Sequence, residues 1–132
     1  MRVILDTNVI LSAIFFGGIP GRILNAYRDG EITIVLSPEI LEEYRITAAQ
    51  LAQKFDMEYE ALLEWIAIHS EMISSRELAE PVCADPDDDK FIACALASDA
   101  KIICSGDKYL LNVNGYQGIE VLKPRPFVDK YL

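Results

Sequence analysis

Four acidic residues stand where a carboxylate has chemistry to do. Asp6 closes the apolar run Arg2–Asp6, in the order Leu5-Asp6-Thr7-Asn8, and Asp107 follows another apolar run, in Cys104-Ser105-Gly106-Asp107. The other two come from helical stretches, and the helical period of about 100° per residue chooses among their neighbours. On the stretch Pro38–Lys54, Ile40, Tyr44, Ala48, Leu51 and Phe55 form one apolar stripe. Glu43 lies about 100° from its centre, Glu39 about 140° and Glu42 about 160°, so Glu43 is the acid nearest the core side. In the run Asp85-Pro86-Asp87-Asp88-Asp89, Asp88 shares a face with Phe91, Ile92 and Ala95, while Asp89 points about 100° away. An unpaired carboxylate on an apolar face is costly to bury, yet Asp88 also opens a helix, where the dipole favours an anion.

If Asp6, Glu43, Asp88 and Asp107 converge, they repel one another and do not all stay ionised. A hard divalent cation relieves that repulsion. Mg²⁺ and Mn²⁺ take oxygen ligands, and Mg²⁺ keeps several waters while binding through one or two carboxylates plus substrate phosphate. Hydrolysis of a phosphodiester is the reaction such a site performs best. It needs no Ser or Cys nucleophile, and with a single histidine the chain has no His cluster for zinc. Each acid also has a plainer reading: Asp6 as cap of a helix starting at Thr7, Glu43 as a surface helix residue, Asp88 as a helix cap, Asp107 as a turn residue. Four such coincidences in order are far rarer than any one.

The elements that position these residues follow from the apolar pattern. Arg2–Asp6, Ile32–Ser37, Lys101–Ser105 and Ile119–Leu122 read as strands rich in Val and Ile, with a weaker candidate at Met72–Ser74. They do not alternate cleanly, the pattern of parallel strands covered on both faces. Helices are expected at Pro20–Arg28, Pro38–Lys54, Glu58–Ser70, Asp88–Ser98 and Pro124–Tyr131, the second with Ser37 as N-cap and Pro38 at its first position. Glu77–Asp87 is the one long loop. Alternating strands and helices imply an α/β domain with a mainly parallel sheet of about five strands. In such sheets ligands bind beyond the carboxyl ends of the strands, where strand order reverses, which is where Asp6 and Asp107 should project.

With 132 residues the chain suits one domain, 1–132. It carries 21 Asp and Glu against 12 Lys and Arg, a net charge of −9, which argues against binding nucleic acid or anionic lipid by bulk charge. Recruitment of cations first stays open. Asp6 and Asn8 interrupt the apolar start, and no run is long enough to span a membrane. The three cysteines, Cys83, Cys94 and Cys104, match no metal spacing, and Cys94 and Cys104 read as small core hydrophobes. These features lead us to expect a reducing cytoplasm. His69 and Trp65 read as packing residues.

The joint order of Leu5-Asp6-Thr7-Asn8-Val9, Ser37 with Glu43, Asp85-Pro86-Asp87-Asp88, and Ser105-Gly106-Asp107-Lys108-Tyr109-Leu110-Leu111 resembles the PIN domain over nearly the whole chain. The likeness is closest to PIN-family toxins of toxin–antitoxin systems. It implies a three-layer α/β/α fold and a Mg²⁺- or Mn²⁺-dependent endoribonuclease leaving 5′-phosphate and 3′-hydroxyl ends. It further implies that Asp6, Glu43, Asp88 and Asp107 form the catalytic and metal-binding set, with Asn8 and Ser105 as supporting polar positions. A homodimer and a small antitoxin partner are implied as well. The acidic run is denser than the motif needs, so Asp85, Asp87 or Asp89 stand as alternatives to Asp88, Asp85 foremost. Ile46–Leu63 matches no motif. Arg22, Arg28, Arg45, Lys90 and Lys108 are the cations near enough in sequence to rim the site. Two other functions stay in contention: a catalytically silent interaction module, and a Mg²⁺-dependent phosphatase with Asp6 as nucleophile. Against the phosphatase, Asn8 stands where such enzymes usually place a second Asp.

Overall fold

The computed structural model describes residues 1–132 throughout. The first strand, β1 (Arg2–Leu5), is three-quarters buried along its length and stops where Asp6 turns to cap the next helix. That helix, α1 (Thr7–Phe15), meets α2 (Gly18–Arg28) at 91°. The turn between them runs through Gly17 and Gly18 at φ of 75° and 64°, backbone open to glycine and strained for other residues. Strand β2 (Thr33–Leu36) feeds α3 (Pro38–Phe55), which opens with Pro38 and with the Ser37 hydroxyl accepting the Ile40 N–H at 3.3 Å. α4 (Glu60–His69), β3 (Glu71–Met72), α5 (Asp89–Ser98), β4 (Ile102–Cys104), α6 (Lys108–Leu111), β5 (Glu120–Leu122) and α7 (Pro124–Tyr131) complete the chain. A 3₁₀ turn at Pro86–Asp88 leads into α5, and another lies at Tyr116–Gly118.

All strand pairs are parallel, in the order β3-β2-β1-β4-β5. The chain therefore steps outward from β1 to β3, then returns to start again on β1's other side. Strand order reverses between β1 and β4, where Leu5 is in register with Cys104. Right-handed crossovers in the two directions put α1–α4 on one face and α5 on the other. α5 packs across β1, β2 and β4, while α2 packs on α1 and α7. The core gathers Ile4, Leu5, Ile10, Leu36, Tyr44, Phe91 and Phe127, each essentially inaccessible to solvent. This is the expected α/β architecture with a five-stranded parallel sheet.

Some boundaries differ from the sequence reading. The weak strand at Met72–Ser74 forms one residue earlier, at Glu71–Met72, because pairing with Val35 and Leu36 sets its register, although the Ile73 N–H still reaches the Leu36 carbonyl at 2.8 Å. The apolar stripe of α3 is buried only in its first half. Ile40, Tyr44 and Ala48 are fully enclosed, but Leu51 is half-buried and Phe55 is 40% exposed, since the helix overruns the body it packs on. The single turn of α6 escapes a periodicity search because it is only four residues long. Cys94 and Cys104 are core residues as expected, and all three thiols are free and buried. Burial pushes each of them up to about 12, so they are inert. No single helix is long and apolar enough to cross a membrane.

Candidate metal centre

Asp6 reaches the carboxyl edge of the sheet because β1 ends there. Its backbone N–H extends the β1–β4 ladder to the Cys104 carbonyl at 2.9 Å. Its Oδ1 accepts the Thr7 N–H at 2.7 Å, capping α1. Its Oδ2 accepts the hydroxyl of Ser105 at 2.6 Å, and Ser105 sits just beyond β4 across the switch point. The same hydroxyl oxygen accepts the Asp107 N–H at 2.9 Å. Ser105 thus ties two of the expected acids together, and it is completely buried while doing so. Asp107 caps α6 through Oδ1, which accepts the Tyr109 N–H at 2.9 Å. Capping and clustering are the same act for both residues: a strand ends, a helix begins, and the carboxylate between them faces the reversal point.

Asp88 arrives from the opposite direction, at the N-terminus of α5. It is 8% exposed, and its Oδ2 is enclosed with no hydrogen-bond partner. Burial, the adjoining Asp107 carboxyl and the charges of Asp6 and Asp85 push its carboxyl up to about 8. Burial also raises the Asp6 carboxyl, against the pull of its Ser105 and Thr7 donors, and Asp107 and Glu43 raise it further. The acids therefore feel one another strongly enough to favour partial protonation. Asp107 lies 101 positions from Asp6 in the chain and the two are neighbours in space.

Glu43 sits on the flank of α3 that the helical wheel assigned to it. It is half-buried, while Glu39 and Glu42 are exposed. Its Oε2 accepts the Thr7 hydroxyl, and its Oε1 pairs with the Lys90 ammonium at 2.8 Å. Thr7 is a contact that the sequence reading passed over; its only signal is its place directly after Asp6. Asn8 faces solvent and makes no side-chain hydrogen bond, so the polar support beside Asp6 comes from Thr7 and Ser105 instead. Asp85 lies within the field of Asp88 but spends its Oδ1 on the Asp87 N–H at 3.0 Å. Asp89 accepts from the Cys83 N–H at 2.7 Å and the Val82 N–H at 3.3 Å, fastening the long loop to α5. Asp87 is exposed. His69 lies outside this group, stacked on Trp65 with ring centres 4.7 Å apart.

The donor set is all oxygen, which suits a hard cation. The orphaned Asp88 oxygen and the mutual repulsion of Asp6, Asp88 and Asp107 fit one in charge and in chemistry. No three of these side chains close tightly around a common point.

The sequence profile of the PIN domain matches residues 2–109. An uncharacterised protein of Methanocaldococcus jannaschii is 34% identical over 143 aligned positions, covering 99% of this chain and 92% of its own. PIN domains are generally nucleases, and those nucleases usually use divalent metals such as Mg²⁺. With its five-stranded parallel sheet and an acidic cluster at the β1–β4 reversal, this chain belongs to the PIN domain family.

Proposed function

We propose that the protein is a Mg²⁺- or Mn²⁺-dependent endoribonuclease, acting in the cytoplasm as the homodimeric toxin of a toxin–antitoxin pair. The observation that carries the nuclease reading is the buried Asp88 oxygen without a partner, set among Asp6 and Asp107. A folded chain pays for such an orphan only where something else relieves it. Asp6, Asp88 and Asp107 would hold the cation, with Glu43 at the rim. A divalent ion bound there supplies Lewis acidity, easing deprotonation of water and stabilising charge on a phosphoryl oxygen.

The chain's own residues do the rest. The Ser105 hydroxyl and the Thr7 N–H fix the Asp6 carboxylate in one orientation. The Asp107 N–H bond to Ser105 holds the second acid in register with the first. Glu43, steadied from two sides by Thr7 and Lys90, orients the attacking water toward phosphorus, opposite the leaving 3′ oxygen. Against the phosphatase alternative, Asn8 stands where such enzymes usually place a second Asp. The toxin role rests on the resemblance to PIN-family toxins alone, and a small antitoxin is the partner we propose.

The test is cleavage of labelled single-stranded and structured RNA in Mg²⁺, Mn²⁺ or EDTA, by the wild-type chain, Asp6→Asn and Asp88→Asn. Metal-dependent cutting lost in both variants supports the nuclease. Metal binding with no cutting of any RNA points to the silent module. Arrest of growth on expression, relieved by a co-expressed small neighbouring protein, tests the toxin role.

A further inference from the structure

Tyr44 follows Glu43 on α3 and is wholly enclosed in the core. A phenylalanine would fill the same space, and a buried hydroxyl is costly unless it finds a partner. The Tyr44 hydroxyl has one: it donates to the Leu5 carbonyl. Leu5 is the last residue of β1, beside the point where strand order reverses, and the residue after it is Asp6.

Thr7 makes the matching tie on the other side of Asp6, where its hydroxyl donates to the Glu43 carboxylate. Two hydrogen bonds therefore join the segment Leu5-Asp6-Thr7 to the neighbours Glu43-Tyr44. They close a ring of two short stretches of chain, with Asp6 in the middle of one and Glu43 in the other. The Asp6 N–H fastens the first stretch to β4 through the Cys104 carbonyl. The two ties are unequal in stiffness. The Thr7–Glu43 bond joins two side chains, and Glu43 divides itself between Thr7 and Lys90. The Tyr44 ring is locked by close packing and its hydroxyl ends on backbone.

Resting on the metal-centre reading above, we propose that Tyr44 is a positioning residue for that site: its hydroxyl, held on the Leu5 carbonyl, sets the height of α3 against the end of β1 and with it the separation of the Glu43 and Asp6 carboxylates. Tyr44 acts only through those two acids. Its hydroxyl bonds to neither carboxylate and ends on the backbone beneath them. A metal site tolerates displacements of only about 0.5 Å in its ligands, so the removal of one oxygen behind them is felt in the ion they hold.

The experiment compares wild type, Tyr44→Phe, Tyr27→Phe and Phe127→Leu. Tyr27→Phe also deletes a buried tyrosine's hydroxyl, one that meets Ser70 at 3.3 Å on α2. Phe127→Leu opens the core in α7, which packs on α2, and serves as a destabilised control. Titration with Mn²⁺ alone, followed by the EPR signal of the free ion, should show affinity lowered about tenfold in Tyr44→Phe. Cleavage of a short RNA at saturating Mn²⁺ should show kcat lowered about tenfold, with KM within about twofold. Both controls should bind Mn²⁺ and cut as wild type does, although Phe127→Leu melts lower. A loss of Mn²⁺ affinity or of kcat in Tyr44→Phe, with the controls unmoved, upholds the assignment. If Tyr44→Phe melts lower but binds Mn²⁺ and cuts like wild type, its hydroxyl serves stability alone and the assignment is overturned while the metal centre stands. The same loss in Phe127→Leu overturns it too, since general loosening then accounts for the effect. If wild type takes up no Mn²⁺ and cuts no RNA, both readings fall.

Discussion

The two ends of the sheet are built on opposite electrostatic plans. At the amino end, first residues of strands carry charges that are met by their opposites. Arg2 opens β1 and donates through Nε to Glu71 at 2.8 Å and through Nη1 to the Ser98 carbonyl at 2.6 Å. Glu120 opens β5 and pairs with Lys130 at 2.6 Å while accepting the Tyr131 hydroxyl. At the carboxyl end, Asp6, Asp85, Asp88 and Asp107 gather near Glu43, and of these acids only Glu43 has an ion-pair partner, Lys90. The amino end closes its charge balance from within; the carboxyl end leaves it open to a cation from outside. On the proposed function, one end serves stability and the other serves a cation, so substitutions at the two ends should have opposite signatures.

The largest contrast is in activity. Asp88→Asn and Asp6→Asn should each lower RNA cleavage by about 100-fold or more, given that even residues that merely support metal ligands cost about 10–100-fold. Arg2→Ala should leave the cleavage rate per folded molecule unchanged. Equal losses at the two ends would dissolve the distinction.

Next comes the dependence of stability on pH. The Asp88 carboxyl is raised from 3.8 to about 8, so the folded protein binds a proton there that the unfolded chain releases. That contribution is fully present below the unfolded value and is lost as pH rises through the folded one. Without divalent ions, the melting temperature should therefore fall between about pH 4 and pH 8. Asp88→Asn should flatten the decline and melt higher than wild type at pH 8. Millimolar Mg²⁺ or Mn²⁺ should raise the wild-type melting temperature at pH 8 by binding the folded state alone, and should do little for Asp88→Asn.

Ser105→Ala probes the link between the acids. It removes the donor to Asp6 and the acceptor for the Asp107 N–H, both buried or half-buried, and should cost about 1–3 kcal/mol in chemical denaturation. Cleavage should fall about 10–100-fold as Asp6 loses its fixed orientation. Arg2→Ala gives the smallest effect, about 1 kcal/mol, because the Arg2–Glu71 pair is partly exposed and the bond to Ser98 is its firmer part.

Much of this arrangement was readable from residues alone, for reasons that differ from place to place. The strands could be recognised because parallel strands are covered on both faces and so become unbroken runs of Val and Ile. Glu43 could be told from Glu39 and Glu42 because the helical period is a local property of α3. Asp6 and Asp107 follow strand ends, and strand ends are visible. Thr7 was not singled out, since its partner Glu43 lies 36 positions away and nothing local marks a threonine as a donor to it. The overrun of α3 at Phe55 escaped notice for a similar reason: amphipathic spacing tells which side is apolar, not how far the body beneath it extends. Asn8 was expected to support Asp6 and instead faces water, because α1 turns it outward.

Local order along the chain was enough to determine the α/β class, the element types and the acids that end strands or open helices, because hydrogen-bonding period and capping act over a few residues. Tertiary structure alone decided which of those acids became neighbours. Strand order reverses between β1 and β4, bringing Asp6 and Asp107 together, and α5 delivers Asp88 against them. Proximity across 101 positions of chain is a property of sheet order, and the energy of one charge beside another exists only once that order is formed.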